Sequence, residues 1–106
     1  MNTLTKSCRV NDELIQWIRA YTLSVDSFKH VFLFGSVLKT NKIHNDIDVF
    51  IIYEKYSALI IHDLNLFSNE LEQKSGMLVD ITSLSIEEEK EIQFLDRIKP
   101  YYLQLK

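Results

Sequence analysis

The sequence predicts an α/β domain in which helices pack mainly on one face of a sheet of at least three strands. Three observations lead to this fold class. Segments with helical and strand-like spacing alternate along the chain. With 46% hydrophobic and 25% charged residues, the composition is typical of a folded protein. The 106 residues provide one core but not two, so we expect a single domain over residues 1–106.

The first helix and the first strand follow from local signals. Asn11 can cap a helix, and apolar residues recur at helical spacing beyond it. Residues 30–34 form a compact run of β-branched and aromatic side chains that ends at Gly35, which predicts a buried strand. We expect a short helical turn over residues 37–39 and a polar loop over residues 40–45.

The second strand is predicted over residues 46–53. Asp46 and Asp48 share one face of this strand, because successive strand side chains alternate. Ser57 can cap the long amphipathic helix that follows. Gly76 is a natural stop for that helix.

The third strand is predicted over residues 77–82, where Asp80 interrupts an apolar run. A capping-box pattern that begins at Ser85 predicts one last helix, and Pro100 should end it. Residues 101–105 fit either a short edge strand or a frayed tail.

Three acids stand where apolar strand residues would be expected. Asp46, Asp48 and Asp80 would repel one another on one face unless a cation lies among them. Hard oxygen ligands of this kind suit Mg²⁺, which takes its remaining ligands from water and phosphate oxygens. Gly35 lets the chain approach phosphates closely, and Ser36 can donate its N–H and hydroxyl to them. These residues predict a site for a metal-bound nucleotide; the alternative is that the acids are caps or solvated loop residues.

Charge and hydropathy argue against several other classes. The formal net charge of -3 disfavours electrostatic binding to a nucleic-acid backbone, so no direct nucleic-acid contact is expected. Cys8 is the only cysteine, so no intramolecular disulfide can form. The N-terminal residues lack the apolar core of a signal peptide, and no apolar run approaches the ~20 residues that span a bilayer. We expect a cytoplasmic protein without a membrane contact.

At these residues the chain resembles the minimal nucleotidyltransferases, the small members of the DNA polymerase beta-like superfamily. The family signature is an apolar strand ending in Gly-Ser, an Asp-x-Asp entering the next strand, and a third Asp on a later strand. The matching segments are Phe34-Gly35-Ser36, Asp46-Ile47-Asp48-Val49 and Val79-Asp80-Ile81. The resemblance extends over about residues 11–99. It implies a mixed sheet flanked by helices that binds Mg²⁺ and a nucleoside triphosphate.

The resemblance also implies roles for individual residues. The implied catalytic and metal-binding residues are Asp46, Asp48 and Asp80. The implied nucleotide-binding residues are Gly35, Ser36 and Lys39. Many relatives have an Arg and a second Gly soon after Gly-Ser, whereas this chain has Val37-Leu38-Lys39-Thr40. Lys39 either supplies the missing positive charge to a phosphate or is a solvated loop residue.

Family members of this size are often encoded beside a helical HEPN toxin and act as its antitoxin. In some pairs they transfer AMP from ATP to a tyrosine of the toxin. The resemblance therefore implies an ATP-dependent protein adenylyltransferase in a type VII-like toxin–antitoxin pair. The sequence leaves two assemblies open, a homodimer and a hetero-oligomer with the toxin. One alternative is a catalytically weak or inactive protein that neutralises its toxin by direct binding. A second alternative is transfer to a nucleic acid or to a small molecule. The net negative charge of the chain disfavours a nucleic acid as the acceptor.

Overall fold

A computed structural model describes residues 11–35 and 46–106 of the chain. Several predictions from the sequence lie outside these residues. They concern Cys8, Ser36 and Lys39, the helical turn over residues 37–39 and the loop over residues 40–45.

The described residues form four helices and four strands. In chain order these are α1 (Asp12–Leu23), β1 (Phe28–Phe34), β2 (Asp46–Tyr53), α2 (Ala58–Ser75), β3 (Leu78–Ser85), α3 (Ile86–Ile92), α4 (Phe94–Ile98) and β4 (Tyr102–Gln104). The strands form one sheet in the order β3-β2-β1-β4. Since β1 is antiparallel to both β2 and β4, while β2 and β3 are parallel, the sheet is mixed, as the resemblance implies.

Side-chain caps start three helices where the sequence predicts them. Asn11 accepts a hydrogen bond from the N–H of Leu14 at 2.9 Å, and Ser57 caps α2 in the same way. Ser85 and Glu88 bond reciprocally, which forms the predicted capping box of α3. Gly76 ends α2 in the left-handed conformation, with φ of 71°. These local bonds fix where three helices begin and where α2 ends.

The pairing register lines up four side chains across one face of the sheet. Asp48 lies opposite Asp80 on one side and opposite Phe34 on the other. Phe34 in turn lies opposite Tyr102 of β4. Because directly opposite residues point to the same face, Asp80, Asp48, Phe34 and Tyr102 form what we call the cross-strand row.

The two long helices, α1 and α2, pack on the other face. That face presents Ile47, Val49 and Ile51 of β2, whose side chains have no exposed surface. Ile18 of α1 and Phe67 of α2 are equally buried against them. Burial of this apolar face holds β2 in a fixed register, because a slip by one residue would exchange its two faces.

The two short helices cover part of the face that carries the row. Phe94 of α4 packs on Phe50, with ring centroids 4.7 Å apart, and on Phe34, at 5.5 Å. Ile86 of α3 joins the same cluster. The longer helices thus lie on one face, as the sequence predicts. The opposite face, which carries the acids, is only partly covered by α3 and α4.

The last helix differs from the prediction of a single helix, which was wrong. It breaks at Gln93, whose φ of 54° is left-handed and ends α3. The Glu89 carboxylate accepts the N–H of Phe94 at 2.9 Å and that of Leu95 at 3.2 Å, so it starts α4. The physical reason is tertiary: the break lets Phe94 pack on the sheet.

Two strand boundaries also shift. β1 begins at Phe28 rather than at residue 30, and β3 extends from Leu78 to Ser85 rather than over 77–82. Tyr102–Gln104 forms an edge strand, which decides between the two alternatives for the end of the chain. None of the helices in the described parts of the chain has the length and apolarity needed to cross a membrane.

Candidate functional site

The three acids identified in the sequence come together at one end of the sheet. Asp46 and Asp48 lie at the start of β2, and Asp80 lies near the start of β3. Each can offer one carboxylate oxygen such that the three oxygens lie within 4.8 Å of one another. Asp46 and Asp48 are half-buried, whereas Asp80 is exposed. The arrangement leaves the cluster open to a ligand from solvent.

The parallel pairing of β2 with β3 explains why the acids meet. Parallel strands start at the same edge of a sheet, so acids near the start of each strand become neighbours. Ile47 and Val49 are buried in the core below, which turns Asp46 and Asp48 to the opposite face. The acids are therefore held by the packing of the residues between them.

The cluster is electrostatically strained without a counterion. Burial, and then the negative charges of Asp46 and Asp80, raise the pKa of the Asp48 carboxyl above its ordinary value. Within residues 11–35 and 46–106, the ion pairs join Lys29 with Glu54 and two pairs on the last helices, and none involves the three acids. A cation bound among the acids would relieve this repulsion.

The donor set fits a divalent metal. All three groups are carboxylates, which are hard oxygen ligands of the kind that Mg²⁺ and Mn²⁺ prefer. Their spacing allows one ion to contact each of them, and their exposure leaves positions for water or phosphate oxygens. The residues that could hold the metal are Asp46, Asp48 and Asp80.

Gly35 brings the end of β1 against the same cluster. Its φ of 80° is left-handed, and a Cβ built there would overlap an oxygen of Asp48 and lie 3.3 Å from its Cγ. Only glycine therefore lets the chain pass this close to the carboxylate. The predicted nucleotide-binding residues Ser36 and Lys39 lie outside the described residues.

Two features of the site were not found from the sequence. The first is the aromatic packing of Phe94 on Phe34 and Phe50 beside Asp48, which depends on the break at Gln93. The second is Leu78, which is 70% exposed and lies opposite Asp46 in the β2–β3 register. No sequence signal could have found Leu78, because its exposure depends on that register.

Comparison with known proteins agrees with this geometry. The family model described as "Polymerase beta, Nucleotidyltransferase" matches residues 16–98. A search of curated proteins gave no match. Among solved structures, the chain is similar to a re-refined structure of a tri-AMPylated Shewanella oneidensis HEPN toxin in complex with MNT antitoxin. The sequence identity is 14%, the match covers 87% of this chain and 71% of that chain, and the TM-score is 0.51.

A second crystal structure from Shewanella oneidensis has a TM-score of 0.55 and 13% identity, over 91% of this chain and 72% of that chain. At such identities the likeness shows a shared fold. The family match carries more, because it spans most of the chain and includes Gly35, Asp46, Asp48 and Asp80. The protein belongs to the polymerase beta type of nucleotidyltransferase family.

Proposed function

We propose that this nucleotidyltransferase is Mg²⁺-dependent, transfers AMP from ATP to a tyrosine of a HEPN-type toxin, and so acts as the antitoxin of a type VII-like pair. The observation that carries the proposal is the convergence of three carboxylates within 4.8 Å in a chain of this family. The fold likeness to a complex of a tri-AMPylated HEPN toxin with MNT antitoxin supports AMP as the transferred group and the toxin as partner. In this function residues 1–106 act as one catalytic domain in the cytoplasm, where ATP is available.

In this proposal different residues bind the metal and the nucleotide. Asp46, Asp48 and Asp80 would hold Mg²⁺, which when bound supplies positive charge to the triphosphate and to the leaving pyrophosphate. Gly35 brings the backbone at the end of β1 against Asp48, so that this backbone would lie beside a metal-bound phosphate. Ser36 and Lys39 are the further nucleotide-binding residues of the proposal.

Asp80 is the proposed proton acceptor, because it is the exposed member of the trio and lies on the edge strand. The tyrosine oxygen attacks the α-phosphorus of ATP and forms a new oxygen–phosphorus bond. The bond from the α-phosphorus to the oxygen bridging the β-phosphorus breaks, and pyrophosphate leaves with its electron pair. The tyrosine proton passes to Asp80 and then to solvent.

The test uses the purified protein with a purified HEPN-type toxin from the same organism. ATP labelled at the α-phosphate should label the toxin, and ATP labelled at the γ-phosphate should not. Asp46→Asn combined with Asp48→Asn should abolish transfer, whereas Asp26→Asn combined with Asp96→Asn, at two exposed acids elsewhere, should retain it. Labelling that survives the first pair of substitutions would contradict the proposed site.

The same variants separate catalysis from direct binding. If the protein neutralises the toxin only by forming a complex, the Asp46→Asn and Asp48→Asn variant should protect cells at wild-type strength. If it acts by AMP transfer, protection should be lost although the variant still folds. Circular dichroism of the variant provides the control for folding.

A further inference from the structure

The order of the strands gives the acid cluster two distinct sides. β2, which carries Asp46 and Asp48, lies between β1 and β3. Gly35 follows β1 and reaches Asp48 from one side. Asp80 on β3 reaches it from the other. Gly35 and Asp80 therefore lie on opposite sides of the central carboxylates.

The geometry of displacement at phosphorus assigns the attacking group to one side of the cluster and the leaving group to the other. The attacking and leaving oxygens lie roughly in line, on opposite sides of the phosphorus. In the proposed function the outer phosphates lie toward Gly35, where the backbone at the end of β1 passes beside the Asp48 carboxylate. The acceptor hydroxyl must then arrive from the side of β3, which is the outermost strand on that side of the sheet among residues 11–35 and 46–106.

Leu78 is an exposed apolar side chain on this side of the acid cluster. It is the first residue of β3 and shares a face with Asp46, its neighbour about one strand spacing, or ~4.8 Å, away. At 70% exposed it is the most exposed leucine of the described residues. A single exposed leucine is ordinary, but this one borders three carboxylates, where it can neither hold a cation nor solvate a charge.

The outer edge of β3 leaves little room for an added strand. The N–H of Val79 points away from β2 and is bound by the Glu72 carboxylate at 3.0 Å. At the other end, the N–H of Ser85 is bound by the Glu88 carboxylate at 2.8 Å. Because the chain's own carboxylates occupy both ends of this edge, contact through a side chain is favoured over strand addition.

We propose that Leu78 recognises the acceptor: its exposed side chain packs against the aromatic ring of the tyrosine that receives AMP and directs the hydroxyl toward Asp80. This inference rests on the proposed function and adds to it the residue that contacts the acceptor. Leu78 acts on the apolar part of the acceptor, so it contributes to acceptor binding and leaves the metal and nucleotide contacts unchanged.

The experiment compares Leu78→Ala with Leu59→Ala. Leu59 is 62% exposed, and it follows the far end of β2, roughly 20 Å from Asp46 by strand length. Leu78→Ala should raise KM for the toxin about tenfold with little change in kcat. Leu59→Ala should leave both within about twofold, and Leu78→Met should restore most of the loss.

A second measurement avoids catalysis. Isothermal titration of the toxin into the protein, without Mg²⁺ or ATP, should show about tenfold weaker binding for Leu78→Ala and wild-type binding for Leu59→Ala. Binding of ATP in the presence of Mg²⁺ should be unchanged in both variants.

The outcomes distinguish this inference from the proposed function. If the wild type transfers AMP, and Leu78→Ala matches it in both KM and toxin affinity, the inference is overturned and the proposed function stands. If the wild type transfers no AMP, both are overturned. An equal loss of toxin affinity in Leu59→Ala would also overturn the inference, because the effect would then be general to exposed leucines.

Discussion

The two glycines of the chain provide a direct test of how closely β1 approaches the acid cluster. Gly35 and Gly76 are both left-handed, with φ of 80° and 71°. A Cβ at Gly76 would have no neighbour within 4 Å, whereas a Cβ at Gly35 would overlap the Asp48 carboxylate. Gly76→Ala should therefore cost only the left-handed strain, about 1–2 kcal/mol. Gly35→Ala should cost about 2–5 kcal/mol, because it adds overpacking to the same strain.

Urea unfolding followed by circular dichroism, in EDTA at neutral pH, measures both costs. In an Asp48→Ala background the overlap is removed, so Gly35→Ala should then cost no more than Gly76→Ala. Gly35→Ala should also weaken the stabilisation that Mg²⁺ gives, since it displaces Asp48, while Gly76→Ala should retain it. Equal losses for the two glycines in the wild-type background would refute the close approach.

Three further predictions concern pH and the last helices. Because the pKa of Asp48 is raised, the contribution of this carboxyl to the stability of the cation-free protein should be fully present below the ordinary pKa of an aspartate and be lost as the pH rises through the raised value. Asp48→Asn should remove this part of the pH dependence, as measured by urea unfolding in EDTA. Gln93→Gly should raise the free energy of unfolding by about 0.5–1 kcal/mol by relieving a left-handed side chain, and a lower melting temperature would contradict this. Glu89→Ala should lower the free energy of unfolding by about 1–2 kcal/mol, because two N–H groups at the start of α4 lose their acceptor. Glu91→Ala, at an exposed neighbour, should change it by less than about 0.5 kcal/mol in the same assay.

Elements set by local chemistry could be predicted from the sequence. The starts of three helices agree because Asn11, Ser57 and Ser85 each bind a backbone N–H within their own first turn. The bounds of β2, Asp46–Tyr53, also agree with the prediction. Its acids alternate with apolar residues, and that pattern depends on the strand alone.

Features set by distant contacts could not be predicted. Apolar residues at helical spacing continue through the last helices, so the sequence favours one helix. The break at Gln93 is stabilised by Phe94 packing on Phe50, far away in the sequence. The pairing of β4 with β1 is equally non-local, which is why residues 101–105 fitted two alternatives.

The candidate site divides in the same way. The two-residue spacing of Asp46 and Asp48 predicts their common face directly. The arrival of Asp80 beside them depends on the register of β3 with β2. The sequence signals for it are the interruption of an apolar strand by Asp80 and the family resemblance, and neither of them specifies that register. Leu78 is placed by that same register, and no resemblance pointed to it.

The order of the side chains in the cross-strand row indicates from which side the acceptor hydroxyl comes. Asp80 lies on one side of Asp48, and Phe34 and Tyr102 lie on the other. Tyr102 is the chain's own tyrosine in that row, two strands and roughly 10 Å from Asp48. It lies beyond Phe34, on the side of β1, where the proposed reaction places the leaving pyrophosphate. An in-line attack has to start from the opposite side, at Asp80. Tyr102 of the same molecule is therefore in the wrong position to receive AMP, and the row favours an acceptor that a second molecule presents across β3.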